Sequence, residues 1–264
     1  MANEKSIADI DESEVQPAIR TIGVEDLKDA LAKGFDDFKA MPSHVLLIVV
    51  IYPVVGLFLS RVAFGYDMLP LVFPLIAGFT LIGPLAAIGL YEMSRRREQG
   101  EDVHWGHAFD VIKSPAIPAI AMVGLLQLVI YVAWLITAQT IYWLIFGDAV
   151  PNSIMEFAGQ VLATPGGWAL IILGSGVGFL FAVLVLAISV VSFPLLLDRN
   201  VSAAMAIQVS VRSVIENPVT MAIWGLIVAV CLALGSLPLF VGLAIVMPVL
   251  GHATWHLYRK VVER

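Results

Sequence analysis

The sequence predicts an all-α fold: a polytopic membrane helix bundle of six spans, organised as three repeats of an interfacial amphipathic helix plus a transmembrane hairpin. Three observations carry that expectation. Of 264 residues, 59% are hydrophobic and 14% charged, and the mean hydropathy is +0.92, whereas a soluble domain has an apolar share of roughly 45–50%. Six apolar stretches approach the roughly 20 residues needed to cross about 30 Å of hydrocarbon. The basic residues gather on alternate connections between those stretches.

In chain order, residues 1–20 are polar and acidic and read as a disordered cytoplasmic tail. They lack the short apolar core and small-residue cleavage site of a removable signal peptide. Residues 21–264 read as a single membrane domain, with repeat units at about 21–91, 92–197 and 198–264. The expected spans are about 43–62, 68–91, 115–146, 167–197, 218–234 and 237–258. The third and fourth are over-long, so they must tilt or project beyond the bilayer. A tight turn at Gly235–Pro238 joins the fifth and sixth. The outer segment Phe146–Gly167 is acidic, has no Lys or Arg, and reads as a solvated loop.

Lys and Arg are retained on the cytoplasmic side during insertion. The N-terminal segment, the 92–114 and 198–217 loops and the C-terminal tail hold every one of the 15 basic residues except Arg61. That asymmetry implies cytoplasmic N and C termini and a multi-pass protein of the inner (plasma) membrane.

The repeat shows first in short phrases. "GFDDFKAMP" (Gly34–Pro42), "AFDVIKSP" (Ala108–Pro115) and "VRSVIENP" (Val211–Pro218) each close an amphipathic stretch just before a span. Apolar residues recur at helical spacing in each: Val24, Leu27, Leu31, Phe35 and Phe38; then Trp105, Ala108, Phe109 and Ile112; then Ile207, Val211, Val214 and Ile215. A helix too short or too polar to span, apolar on one side, lies in the headgroup plane. The proline that follows suits the first turn of the next helix, where a missing N–H costs nothing.

The returning spans repeat as well. "GPLAAIGLYEMSR" (Gly83–Arg95) aligns without gaps on "MPVLGHATWHLYR" (Met247–Arg259), and "FPLLLDRN" (Phe193–Asn200) again sets a proline just before a charged end. The three proline kinks are expected to pack together and to bring Glu92, Asp198, His252 and His256 into one polar cluster near the cytoplasmic mouth. His252 and His256, four apart, share a helix face. Two imidazoles are not a metal site, so no metal, cofactor or catalytic residue is assigned. The expected carboxylate partner of these imidazoles is Glu92 or Asp198.

"YEMSRRREQG" (Tyr91–Gly100) and "PVLGHATWHLYRKVV" (Pro248–Val262) resemble the signatures of a bacterial family of predicted integral membrane proteins, domain of unknown function 2189. The resemblance extends from about Arg20 to the end, and the Gly-His-Ala-Thr-Trp-His-x-Tyr-Arg run is its most specific part. It implies an inner-membrane, six-span protein without an established activity.

Several functions are disfavoured directly. A net charge of −6 and a basic cluster at a membrane exit give no nucleic-acid interface. The lone Cys231 permits no intramolecular disulfide. No ionisable residue lies at mid-span, only mild polar ones such as Gln127, expected to bond between helices, so a coupled transporter built on a buried carboxylate is disfavoured. Gly174 and Gly178 have the spacing that lets helices approach closely. No nucleophile arrangement is in context, and no enzyme is expected. Two readings remain. One is a small-solute or ion permease or channel. The other is a non-transporting accessory or scaffold protein of a membrane complex, for example a respiratory one, partnered by the lipid bilayer and by other membrane proteins or itself. A wet passage favours the first, a sealed aromatic and aliphatic core the second.

Overall fold

The computed structural model describes residues 17–41, 70–75, 83–148, 151, 153–238 and 241–263. The expected first span, 43–62, lies outside the described residues, as does most of the second before Gly83. The described chain is helical, and its one β-type pairing is an isolated antiparallel bridge between Ile19 and Val262. It divides into two compact units, one comprising residues 1–43, 84–123 and 187–264, the other 44–83 and 124–186.

The helices are α1 (Val24–Ala40), α2 (Gly83–Ala86), α3 (Ile88–Glu98), a 3₁₀ helix (Trp105–Lys113), α4 (Ile117–Phe146), α5 (Ile154–Ala163), α6 (Pro165–Ser189), α7 (Ser192–Asp198), α8 (Ala203–Glu216), α9 (Pro218–Ser236) and α10 (Leu243–Val261). Among the described residues, three helical stretches are long and apolar enough to cross a membrane: Ile117–Phe146, Pro165–Asp198 and Pro218–Ser236. These are the expected third, fourth and fifth spans. The expected sixth is the helix α10, but its C-terminal half, from His252 to Lys260, is too polar for that class. The expected loop at Phe146–Gly167 is corrected too: it contains α5, started by Ser153, whose hydroxyl accepts the Glu156 N–H at 3.1 Å.

The three amphipathic segments are helical as expected, and each leaves part of its apolar stripe exposed. In α1 the buried residues are Leu27, Ala30, Gly34 and Asp37, while Val24 and Phe35 remain exposed. In the 3₁₀ helix only Val111 is buried, and Trp105, Phe109 and Ile112 face outward. In α8 the buried set is Ala203, Ala206, Val209, Ser210 and Ser213, with Ile215 exposed. Small residues turn toward the protein because they let backbones come close. Gly34 is the clearest case: a Cβ there would stand 2.5 Å from the Ala253 nitrogen on α10.

In the first unit, the N-terminal segment is tied down rather than free. The Arg20 N–H donates to the Val261 carbonyl at 2.7 Å, and the Glu263 N–H to Ala18 at 3.0 Å. Asn217 holds the same segment from another side: its Oδ1 accepts the Ile22 N–H at 2.8 Å and its Nδ2 donates to the Arg20 carbonyl at 3.1 Å. Residues 18–20, read from sequence as the end of a disordered tail, are therefore paired. The returning segments α3, α7 and α10 each pack against the other two, as their aligned prolines suggest. Near Pro194 the helix breaks at Val190–Val191, and the Val191 N–H released by the break finds the Ser210 hydroxyl at 3.2 Å, as a backbone donor inside a membrane domain requires. The core of this unit is sealed by Tyr91, Phe193, Trp224, Trp255 and Tyr258, each no more than 1% exposed.

The second unit is built around Trp134. Its indole N–H donates to the Pro74 carbonyl at 3.0 Å, its ring lies 5.6 Å from that of Phe181, and Ala138 and Val185 complete the buried cluster. Gly178 presses against the Trp134 ring, whereas the space beside Gly174 is open, so only one of the two spaced glycines makes a close approach. Gln127 is fully buried and finds no hydrogen-bond partner among the described residues, contrary to the interhelical bond expected of it.

Candidate functional site

The site grows from the α1–α10 contact. Because Gly34 and Ala253 bring the two backbones together, Asp37, one turn further along α1, is carried to the face of α10 that bears His252 and His256. Asp37 is 4% exposed and His252 fully buried. The Ser94 hydroxyl, from α3, donates to Asp37 Oδ2 at 2.6 Å, and His256 Nε2 meets the same oxygen at 2.8 Å. The other carboxylate oxygen is ion-paired with Arg97. His252 Nδ1 lies 2.8 Å from Ser94 Oγ. A hydroxyl has one proton. Once Ser94 gives it to Asp37, Ser94 can only accept from His252, so the bond runs from His252 Nδ1–H through Ser94 to Asp37.

Burial is the largest influence on Asp37 and would raise its carboxyl. The hydrogen bonds from His256 and Ser94, and the charge on the imidazoles, outweigh it and hold the group below the ordinary value of 3.8. Asp37 is thus an ionised carboxylate at neutral pH.

The expected carboxylate partner is accordingly corrected. His252 and His256 do face the interior, but His256 reaches Asp37 on α1 directly and His252 through Ser94, not Glu92 or Asp198. Glu92 is satisfied within its own helix: Arg95 grips it with two bonds of 2.8 and 2.9 Å, and Arg96 donates at 2.6 Å while also reaching Asp110 on the 3₁₀ helix at 3.1 Å. Asp198 accepts from the Tyr258 hydroxyl at 2.6 Å and from Arg259 at 3.1 Å. Both carboxylates sit beside α10-bearing elements, yet each has found a cation or phenol at closer reach.

Asp37, Ser94 and Arg97 are the residues that sequence reasoning missed. Asp37 was visible in "GFDDFKAMP", three residues beyond the glycine that permits the close approach. An acidic residue on the small-residue face of an amphipathic helix is the signal that could have marked it.

Above this floor a cleft of about 540 Å³ opens, lined by Arg20, Lys33, Asp36, Arg97, His256 and Lys260, with Asp37, Glu98 and Arg259. Arg259 joins two carboxylates, Glu98 at 3.1 Å and Asp198 at 3.1 Å, and Trp255 donates its indole N–H to Glu98 at 3.0 Å.

Ser94, His252 and Asp37 are the residue types of a hydrolytic triad in the wrong order. In a working triad the imidazole lies between hydroxyl and carboxylate and takes the hydroxyl proton. Here the hydroxyl lies between, commits its proton to the carboxylate, and is fully buried. Among the described residues no group of three or more His, Cys, Asp or Glu side chains is arranged to hold a metal ion.

A known family matches part of the chain. Residues 72–198 match the family described as "Predicted integral membrane protein (DUF2189)". This is the family that the sequence resembles. The matched region contains the Tyr91–Gly100 phrase, with Glu92, Ser94 and Arg95–Arg97, and ends at Asp198; the Pro248–Val262 run lies beyond it. The DUF2189 region thus supplies α3 of the site, while Asp37 and both imidazoles come from flanking sequence. No curated protein and no solved structure matches the chain.

Proposed function

We propose that this multi-pass membrane protein is a non-transporting scaffold whose interfacial helices hold it at the cytoplasmic surface of a bacterial inner membrane, where it associates with a membrane complex. One observation carries the reading: each of the three amphipathic segments keeps large apolar side chains facing outward, with Phe35, Trp105, Phe109 and Ile215 all exposed. A soluble helix does the opposite. An outward apolar stripe flanked by charges is what the bilayer interface accommodates.

The sealed aromatic core of the first unit supports the scaffold over the permease. Its buried carboxylates are engaged by neighbouring side chains, so it offers a platform, and the Lys and Arg asymmetry favours cytoplasmic termini. The three-unit organisation draws support from the mutual packing of α3, α7 and α10. Large apolar side chains also remain exposed on α4 and α9, including Leu144 and Leu226, which leaves area for lipid, another membrane protein or a second copy.

A second reading, a small-solute or ion path, draws on Gln127, buried without a partner among the described residues. Reconstitution separates the two. Proteoliposomes of the purified chain are expected to leak ions and small fluorescent solutes no faster than protein-free vesicles. Saturable flux, diminished by Gln127→Ala, would overturn the scaffold reading and establish the path.

A further inference from the structure

We infer that the cleft above Asp37 binds a phosphate group, carried by an anionic phospholipid headgroup or free in solution. The inference starts from a count of what the cleft's groups still have to offer. A guanidinium carries five N–H donors and an ammonium three. Arg97 gives one bond to Asp37, Arg20 one to Glu263 at 3.4 Å, and Lys33 one to Asp29 at 2.9 Å, and the side chains of all three are 40% exposed or more. Most of their donors are therefore uncommitted among the described residues.

The acceptors are in the opposite condition. Asp37 is occupied by Ser94, His256 and Arg97; Glu98 by Trp255 and Arg259; Asp36 by Lys39 at 2.8 Å. The cleft consequently presents N–H groups and asks for a ligand rich in acceptor oxygens. A metal cation or a basic peptide would meet the wrong partners.

The donors also arrive from separate directions. Arg20 comes from the segment paired with the C-terminus, Lys33 from α1 and Arg97 from α3, while α10 adds Arg259, already shared between Glu98 and Asp198, and Lys260, already paired with Asp29 at 2.9 Å and Asp26 at 3.5 Å. Convergence from four segments matches a tetrahedral oxyanion, whose oxygens point apart, better than a planar carboxylate satisfied by one fork. Basic pockets on the cytoplasmic side of membrane proteins hold lipid headgroups for the same reason. Asp36 is the one carboxylate in the lining whose partner, Lys39, lies outside it, and its charge works against the ligand.

The test uses the full chain in two settings. In maltoside micelles, inorganic phosphate is titrated calorimetrically. In nanodiscs, native mass spectrometry compares retention of phosphatidylglycerol against phosphatidylcholine. Saturable phosphate binding supports a free-phosphate source, and selective phosphatidylglycerol retention supports the headgroup. In whichever arm responds, Arg20→Gln with Lys33→Gln is expected to weaken binding about tenfold or more, the loss of one charge-assisted bond or more, and Asp36→Asn to strengthen it. Both changes touch only exposed pairs, so folding is retained. Absence of binding in both arms, or binding indifferent to all three substitutions, would overturn the inference.

Discussion

The two compact units reach order by different means. In the first, residues far apart in sequence are joined by buried charge: Asp37, Ser94, Arg97, His252 and His256 come from three helices to share one carboxylate. In the second, the described interior is a tryptophan ring set against Ala138, Phe181, Val185 and Gly178, with a long-range hydrogen bond to Pro74. The first arrangement is directional and unforgiving, since an ionised group left without its partners is costly. The second is softer, because an apolar contact loses strength in proportion to the area removed.

That contrast can be broken or sharpened by substitution. The largest effect is expected from Asp37→Ala, which leaves the buried Ser94 hydroxyl, the largely buried His256 imidazole and the half-exposed Arg97 guanidinium without their carboxylate. Breaking a buried pair from one side costs about 3–5 kcal/mol, measurable as a lowered midpoint in denaturant unfolding of the detergent-solubilised protein. Gly34→Leu follows, because the new side chain must displace α10 backbone at Ala253; overpacking of this kind costs about 1–3 kcal/mol, and the same unfolding curve reads it. Trp134→Phe, in the second unit, keeps most of the ring but abandons the Pro74 carbonyl, and about 1 kcal/mol is expected. Glu25→Gln removes an exposed pair with Lys28 and should shift the midpoint by less than about 1 kcal/mol.

Much of the fold could be read from the sequence because it rests on periodicity. The three amphipathic segments, the spans at Ile117–Phe146 and Pro218–Ser236, and the packing of the proline-bearing returning segments all follow from patterns local to the chain. Part of the site could be read too: His252 and His256 share an inward face, as their spacing requires. Their partner was hidden because a hydrogen bond depends on approach, and approach depended on Gly34 meeting Ala253, two residues more than two hundred positions apart. Glu92 was the nearer guess by alignment, but Arg95 and Arg96 lie one turn away on its own helix and reach it first. In α1 the internal contact falls on Leu27, Ala30 and Gly34, while Val24 and Phe35 of the apolar stripe stay exposed. Hydrophobicity identifies which side avoids water, yet in a membrane protein the side that avoids water can face outward, leaving Ala30 and Gly34 to make the internal contact.

Acidity sharpens the same distinction. The Asp37 carboxyl is held below its ordinary value in the fold. A carboxylate with a depressed folded pKa contributes stability above its unfolded pKa and loses it as pH falls through the folded value. The α1 contact should therefore persist from pH 7 to pH 5 and weaken only below about pH 4, while the Trp134 cluster, which holds no carboxylate or imidazole, should not respond.

The central claim is that α1 is fastened to α10 through Asp37. Amide hydrogen exchange of Val24–Ala40, followed by mass spectrometry on the protein in lipid nanodiscs, tests it most directly. Strong protection is expected at pH 7, collapsing in Asp37→Ala while the amides around Trp134 keep theirs. An α1 that exchanges freely in the unaltered protein, or that stays equally protected without Asp37, would contradict the account.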